Sequence, residues 1–450
     1  MTIDFLLDRF VAKGEADAFV YLDNVYTYSW LHAAIAKWHE LLKRQHIASH
    51  SVVALKSDFS HQSTALLLAL INNRNIIVPL SPAVTSRETA YLHIAQVEKY
   101  ISLTDGSSPV FKHLDNQVNH PLLCKLKHSG HAGLVLFSSG STGKSKASVH
   151  NFAPLLAKFN RKRHIWRTIA FLLFDHIGGV NTLFYTLSNT GCMITVSNRD
   201  PDAVCRAIEK HQVELLPTSP TFLNLMLLSE AYKRHDLSSL KIITYGTEIM
   251  PQSTLRALHR ILPGVRLKQT YGLSELGILR SKSKSSDSLW VKVGGEDFKT
   301  KVVDGILWIK AQSAMLGYLN ANDPFTEDGW FNTKDAVEVD GEYLRFLGRT
   351  SDIINVGGEK VYPAEVESVI QSMENVKHVL VFGEPNAITG NIVVAEITPK
   401  TAVSSKALSA EVKRFCRERL PKFKVPVKVF LSDQELRTER FKKKRKRSPD

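Results

Sequence analysis

The 450 residues are more than one ordinary core organises, so two or three domains are expected. With 44% hydrophobic and 23% charged residues the composition is globular, which excludes disordered and fibrous classes. A net charge of +14 suits polyanionic partners such as ATP, coenzyme A, nucleic acid or anionic lipid.

The apolar run Ala65 to Ile71 is far short of the roughly 18 residues a membrane span needs, so no span is expected. The opening stretch places Asp4 and Asp8 where a secretory leader carries bases, which points to a cytoplasmic location. Cys124, Cys192, Cys205 and Cys416 are scattered without a CxxC pair, so neither a zinc site nor a disulfide framework is indicated.

In chain order, Ser51 to Leu55 reads as a buried strand, Thr64 to Ile71 as a helix and Asn75 to Leu80 as a second strand. That spacing predicts parallel strands joined by crossover helices. Leu134 to Phe137 is a strand running into a Ser/Gly/Thr segment, and the alternation resumes at Gly191 to Val196, Val213 to Leu216 and Leu240 to Thr244. Between about 290 and 347 the texture changes. Asp-Gly pairs at 304–305, 328–329 and 340–341 between apolar alternation predict antiparallel hairpins. Beyond Gly348 to Ser351, where a domain boundary is placed, come a strand at Ile353-Ile354 and a helix opening near Pro363. Strands at His378 to Phe382 and Ile392 to Ile397 and a helix near Ser409 to Arg419 follow.

Three segments carry chemistry. Ser138-Ser139-Gly140-Ser141-Thr142-Gly143-Lys144-Ser145-Lys146 offers backbone N–H groups, hydroxyls and lysines that can wrap phosphate oxygens. It is not a Walker A loop, because Ser138 stands where that pattern needs glycine. Gln269 to Glu275 holds Tyr271, Gly272, Ser274 and Glu275, a set able to stack a purine, touch a phosphate and hold Mg²⁺. Asp335, in Asp328 to Asp335, is a carboxylate suited to ribose hydroxyls, and Arg349 is suited to a phosphate. Taken singly, the first segment can also be a flexible Ser/Gly turn, the second reads better as a structural loop, and Asp335 reads as readily as a hairpin or capping residue.

Together and in this order, the segments resemble the AMP-binding, or adenylate-forming, superfamily, which includes acyl-CoA synthetases and the adenylation domains of peptide synthetases. The resemblance runs from about residue 25 to the end. It implies an α/β fold with a large N-terminal domain over 1–348. That domain has mixed and parallel sheets flanked by helices plus a distorted antiparallel β region. A small α+β lid domain, expected to be mobile, spans 349–450. The phosphate loop resembles Ser138 to Lys146, and the adenine-side motif resembles Tyr245-Gly246-Thr247-Glu248. Tyr271 to Glu275 matches a Tyr-Gly-x-Thr-Glu motif with Ser274 for Thr, and Gly329 to Asp335 and Gly348 to Gly358 match two further motifs.

The resemblance implies ATP with Mg²⁺ on Glu275, a small-molecule carboxylic acid, and the thiol of coenzyme A or of a carrier protein's phosphopantetheine. Lys442, after Thr438-Glu-Arg-Phe441, is the implied catalytic lysine, with Lys443 the neighbouring register. Gly357 and Gly358 would let a pantetheine arm pass, and Ser351 holds the hinge position, where Asp or Lys is usual. Phe441, Ser145 and Ala147 also depart from the family's pattern. The acyl pocket should be lined by Phe174 to Gly179 and Thr244 to Gly246. There Asp175 would hold the α-ammonium of an amino acid, whereas His176 and Gly179 match acyl- and aryl-CoA ligases. A fatty or aromatic acid is preferred, with a stand-alone amino-acid adenylating protein or a non-catalytic nucleotide binder as alternatives. The basic run Lys442 to Arg447 has no aromatic-interleaved RNA motif beside it, so no nucleic-acid partner is expected.

Overall fold

The computed structural model describes residues 3–103, 108–139 and 145–432. Two seven-stranded sheets, a six-stranded antiparallel sheet and a five-stranded sheet account for nearly all the strands described.

The first sheet runs, from one edge, through Arg266–Gln269, Ile242–Tyr245, Leu215–Thr218, Arg167–Ile169, Cys192–Ile194, Asp17–Tyr21 and Asn24–Thr27. All but the last pairing are parallel. The second has the parallel strands Gly133–Ser139, Ile76–Leu80, Val52–Lys56 and Lys99–Ser102 at its centre, with antiparallel strands on both edges. These parallel strands are near-continuous apolar runs because both faces are covered. The helix His61–Asn72 is buried at every position from Ser63 to Ile71, as befits a helix that packs between layers. One core joins it to Phe19 and Met193 of the first sheet and to Val53, Leu55, Ile77, Leu134 and Leu136 of the second. Separate cores cover the outer faces of the two sheets.

The six-stranded sheet contains two of the Asp-Gly hairpins. Asp304 and Gly305 join Phe298–Val303 to Ile306–Ala311, and Gly341 lies between Phe331–Asp340 and Tyr343–Arg349. The third Asp-Gly, at 328–329, forms a tight turn closed by one isolated bridge between Phe325 and Phe331, with no strand before it. After Arg349 the chain builds its own sheet and core, drawn only from residues 354–431. There Val376–Asn386 and Gly390–Pro399 form one long antiparallel hairpin, flanked by the helices Pro363–Gln371 and Ser405–Arg417. This part meets the rest where Gln252 N–H donates to Ser368 Oγ at 3.2 Å and where Gly348 lies between Ile249 and Tyr362. No helix among the described residues is long and apolar enough to cross a membrane.

Candidate active site

Parallel sheets gather functional side chains at the carboxyl ends of their strands, and the motif residues collect there. Gly133–Ser139 and Ser145–Asn151 pair antiparallel with Ser139 opposite Ser145. Gly140, Ser141, Thr142 and Gly143 lie outside the described residues, as do Lys442 and Lys443. Where the chain resumes, Ser145 Oγ is 2.7 Å from the Tyr91 hydroxyl, and Asn320 bridges Ser145 O and Ala147 N.

Lys146 Nζ stands 5.0 Å above the ring of Tyr318, whose hydroxyl donates to Glu275 Oε1 at 2.5 Å. Burial, and then the charge of Glu275, raises the Tyr318 hydroxyl's pKa, so it stays a donor at any working pH. The base of the phosphate segment and the motif glutamate thus share one wall. Glu275 is itself fixed through its backbone, whose carbonyl accepts from Met315 N.

Next along the wall, Tyr271 donates to Asp335 Oδ2 at 2.6 Å, and Arg349 Nε lies 3.4 Å from Asp335 Oδ1. Strand register brings this about, because Asp335 and Arg349 are direct partners across the hairpin. Tyr271 stacks on Phe346 with ring centres 4.5 Å apart. The Asp335 side chain is only 14% exposed. Burial pushes its pKa up, and the neighbouring Arg349 and Tyr271 oppose that shift. Beneath the motif, His150 is fully buried against the backbone of Ser274, and desolvation lowers its pKa to about 4.

The oxygen-only pair of Glu275 carboxylate and Ser274 hydroxyl has the chemistry magnesium prefers. Among the described residues no group of three His, Cys, Asp or Glu side chains could hold a metal. A cation there would take one carboxylate and complete its shell from the phosphates and water.

On the acid side several residues have roles that the sequence left open. His176 caps the helix Ile177–Ser188, its Nδ1 accepting from Gly178 N at 3.0 Å. Gly179 is required sterically, since a Cβ there would sit 2.0 Å from Leu173 O. Asp175 is buried and accepts from Ser81 Oγ at 2.8 Å, which ties the helix entry to the end of strand Ile76–Leu80.

Tyr245, expected in the acyl pocket, packs instead into the core on the opposite face of the first sheet, with Ile243 and Leu267. Strand alternation is the reason. Thr244, its neighbour, faces inward. Glu248 accepts from Thr221 Oγ1 at 2.6 Å and from Thr221 N at 3.2 Å, at the N-terminus of the helix Pro220–Ser229. Gly246 and Thr247 follow the strand end, with Thr247 at φ +71°. Gly272 opens the short pair Gly272–Leu273 with Gly277–Ile278.

Gly357 and Gly358 form the exposed turn between Ile354–Val356 and Glu359–Val361, at φ +58° and +89°, with open space around both. Their backbone conformation alone calls for glycine. Ser351 lies in the exposed 3₁₀ turn Thr350–Asp352, and its hydroxyl donates to Asp352 at 3.0 Å. Tyr318, which links Lys146 to Glu275, and Asn320, which braces Ser145 and Ala147, lay in no motif.

Layered parallel sheets whose strand ends share one polar wall, followed by a separate small sheet, define an α/β protein with its ligand cleft at the strand ends. Residues 96–319 match the family described as AMP-binding enzyme, and residues 365–442 match the AMP-binding enzyme C-terminal domain. The chain belongs to the AMP-binding enzyme family.

It is 31% identical to an indoleacetate–CoA ligase of Aromatoleum aromaticum over 68% of this chain and 64% of that one. It is 29% identical to a long-chain-fatty-acid–CoA ligase of Haemophilus influenzae over 56% of this chain and 47% of the relative. The matched part therefore spans less than two thirds of either. A 2-succinylbenzoate–CoA ligase of Bacillus cytotoxicus is 26% identical over 95% of this chain and 94% of its own. Among solved structures, the anthranilate CoA ligase AuaEII in complex with anthranoyl-AMP superposes with a TM-score of 0.83. It has 18% identity and covers 98% of this chain and 95% of that one.

Proposed function

We propose that the chain is an ATP-dependent acid–thiol ligase. It activates a carboxylic acid as its acyl-adenylate and passes the acyl group to a thiol. The observation that carries this reading is the continuous wall Lys146–Tyr318–Glu275 and Tyr271–Asp335–Arg349. It sets cations, a metal-type carboxylate and a ribose-type carboxylate in the order a nucleotide presents phosphate and sugar.

In the first half-reaction a carboxylate oxygen attacks the α-phosphorus of ATP, the bond to the bridging oxygen breaks, and pyrophosphate leaves. Anion meets polyanion, so catalysis rests on charges placed in advance. Lys146 and Arg349 supply positive charge, Asp335 orients the ribose, and Tyr318 fixes the Glu275 carboxylate. Magnesium, when bound on Glu275, would neutralise charge on the phosphates. Lys442 is proposed to bridge carboxylate and α-phosphate. In the second half-reaction the thiolate sulfur attacks the acyl carbon, and AMP leaves with the bonding electrons.

The segment after Gly348, with its own core, is proposed as the mobile lid that carries Lys442, turning at Ser351. Coenzyme A is favoured as the thiol, because the relatives above are named as CoA ligases. A fatty or aromatic acid is favoured over an amino acid, in line with the indoleacetate and long-chain-fatty-acid relatives above. A cytoplasmic location is proposed, and no helix among the described residues is long and apolar enough to cross a membrane.

The test is acid-dependent ATP–pyrophosphate exchange across fatty, aromatic, hydroxy and amino acids. Exchange in the wild type and its loss in Lys442→Ala are expected, with thiolation of preformed acyl-adenylate retained. ATP binding without exchange for every acid would overturn the reading.

A further inference from the structure

The turn that carries Ser274 and Glu275 lies between Gly272–Leu273 and Gly277–Ile278, strands of two residues each. So short a pair holds little by itself, and outside contacts must fix where the turn points. Two of them come from one neighbouring segment: Glu275 O accepts from Met315 N at 2.8 Å, and Leu276 O accepts from Ser313 Oγ at 2.8 Å. A third comes from a different part of the fold. Lys158 Nζ donates to Ile278 O at 2.9 Å and to Asn181 Oδ1 at 2.7 Å. Asn181 belongs to the helix Ile177–Ser188, which begins at His176 and is proposed to line the acid pocket. One side chain thus ties the motif hairpin to that helix.

Packing alone would not hold the two in register. Ile278 rests against the core that contains Val180, Leu183 and Phe184 of the same helix. Apolar contact of this kind is non-directional and tolerates sliding. Two hydrogen bonds from one nitrogen to two elements do not. The lysine is kept at a cost, being partly buried and without an ion pair among the described residues. Burial lowers its pKa to about 7; Arg163 and Arg280 act in the same direction and Asp297 against it. A methionine would fill a similar length without that cost. What the lysine adds is the pair of directed bonds, and a neutral amine still has the two N–H groups to make them.

Resting on the acid-activation reading above, we infer that Lys158 is a positioning residue for Glu275. Its two hydrogen bonds set the hairpin that carries the glutamate against the helix of the acid pocket, and so set how far the metal-type carboxylate stands from the bound acid. Lys158 touches neither substrate nor metal in this reading and acts through Ile278 and Asn181.

The test pairs a structural readout with a kinetic one. Hydrogen exchange of the ligand-free protein, read on peptides covering 271–279, should rise roughly tenfold or more in Lys158→Met, with the six-stranded sheet unchanged. In ATP–pyrophosphate exchange with benzoate, indoleacetate and decanoate, kcat should fall roughly 10- to 100-fold for each acid that reacts, with KM for the acid little changed. Asn181→Leu removes one of the two bonds and should move both readouts the same way by less. In the Lys158→Met background it should add almost nothing, because both substitutions break one link. If Lys158→Met fails to fold, Asn181→Leu alone reports the hairpin. Unchanged hairpin protection, or protection lost evenly over the chain with kcat retained, overturns this inference and leaves the ligase reading standing. If no acid supports exchange in the wild type, the ligase reading fails, and the protection of 271–279 alone then decides whether Lys158 holds the hairpin.

Discussion

The two sides of the cleft treat charge in opposite ways. On the side proposed to face the nucleotide, Glu275 accepts from the buried Tyr318 and Asp335 from the partly buried Tyr271, and Asp335 also faces Arg349. On the side of the helix Ile177–Ser188, Lys158 donates to the neutral acceptors Asn181 Oδ1 and Ile278 O, and Asp175 accepts from the Ser81 hydroxyl. A side that is complete without ligand is preorganised, and its groups do not rearrange when charge develops. We therefore propose that the rate of the reaction rests on the first side.

The largest effect should come from the preorganised side. Glu275→Gln keeps shape and a hydrogen-bond acceptor for Tyr318 but removes the charge. Exchange is expected to fall roughly 10²- to 10³-fold, with little change in the thermal midpoint. An equal loss of stability and activity would mean that Glu275 serves the fold and would break the division between the walls.

A second effect separates the walls by pH. His150 is neutral and buried with a pKa of about 4, against 6.5 in the unfolded chain. Between those values the unfolded state binds more protons, so stability is complete above about 6.5 and declines as pH falls toward 4. The span is on the order of 3 kcal/mol. Lys158, lowered to about 7 from 10.5, works at the other end, where stability rises with pH between those values. Urea titrations across pH check both. His150→Gln should flatten the acid limb and Lys158→Met the alkaline one, each leaving the other limb in place.

How much of this was legible in the sequence follows the same division. The parallel strands were readable because both faces are buried, which makes each an apolar run ended by turn residues. Hairpins were readable where Asp-Gly supplied the positive φ, as at 304–305. The hairpin of Asp17–Tyr21 and Asn24–Thr27 was not, because Leu22 and Asp23 adopt φ +46° and +64° without glycine or asparagine to signal it. On the nucleotide wall, short motifs named Glu275, Asp335 and Arg349, but Tyr318 comes from a two-residue strand with no pattern of its own. The Lys158 contacts were invisible for a different reason, because only packing brings Asn181 and Ile278 to it. Tyr245 was assigned to the wrong face, because a strand's direction is readable from alternation only once the core side is known.

Tyr271→Phe sharpens the comparison at a smaller scale. It leaves the buried Asp335 with Arg349 alone, and an acceptor deprived of its donor in a dry site costs about 1–3 kcal/mol. Equilibrium unfolding should show that loss, and the KM for ATP should rise as Asp335 loses its fixed orientation. A change in KM for the acid instead would place Asp335 on the other wall.

The smallest effect concerns Glu248, at the margin between the walls. Its carboxylate accepts from Thr221 N and Oγ1 where the helix Pro220–Ser229 begins. There it caps free N–H groups and meets the positive end of the helix dipole. Glu248→Ala should cost about 1 kcal/mol. Glu248→Gln, whose amide oxygen still accepts both bonds, should recover all but a few tenths of that. Thermal melts distinguish the two variants from wild type. If Gln behaves like Ala in stability, the charge matters more than the cap. If either variant raises the KM for ATP by more than its loss of stability accounts for, Glu248 belongs to the nucleotide wall as well as to the helix it caps.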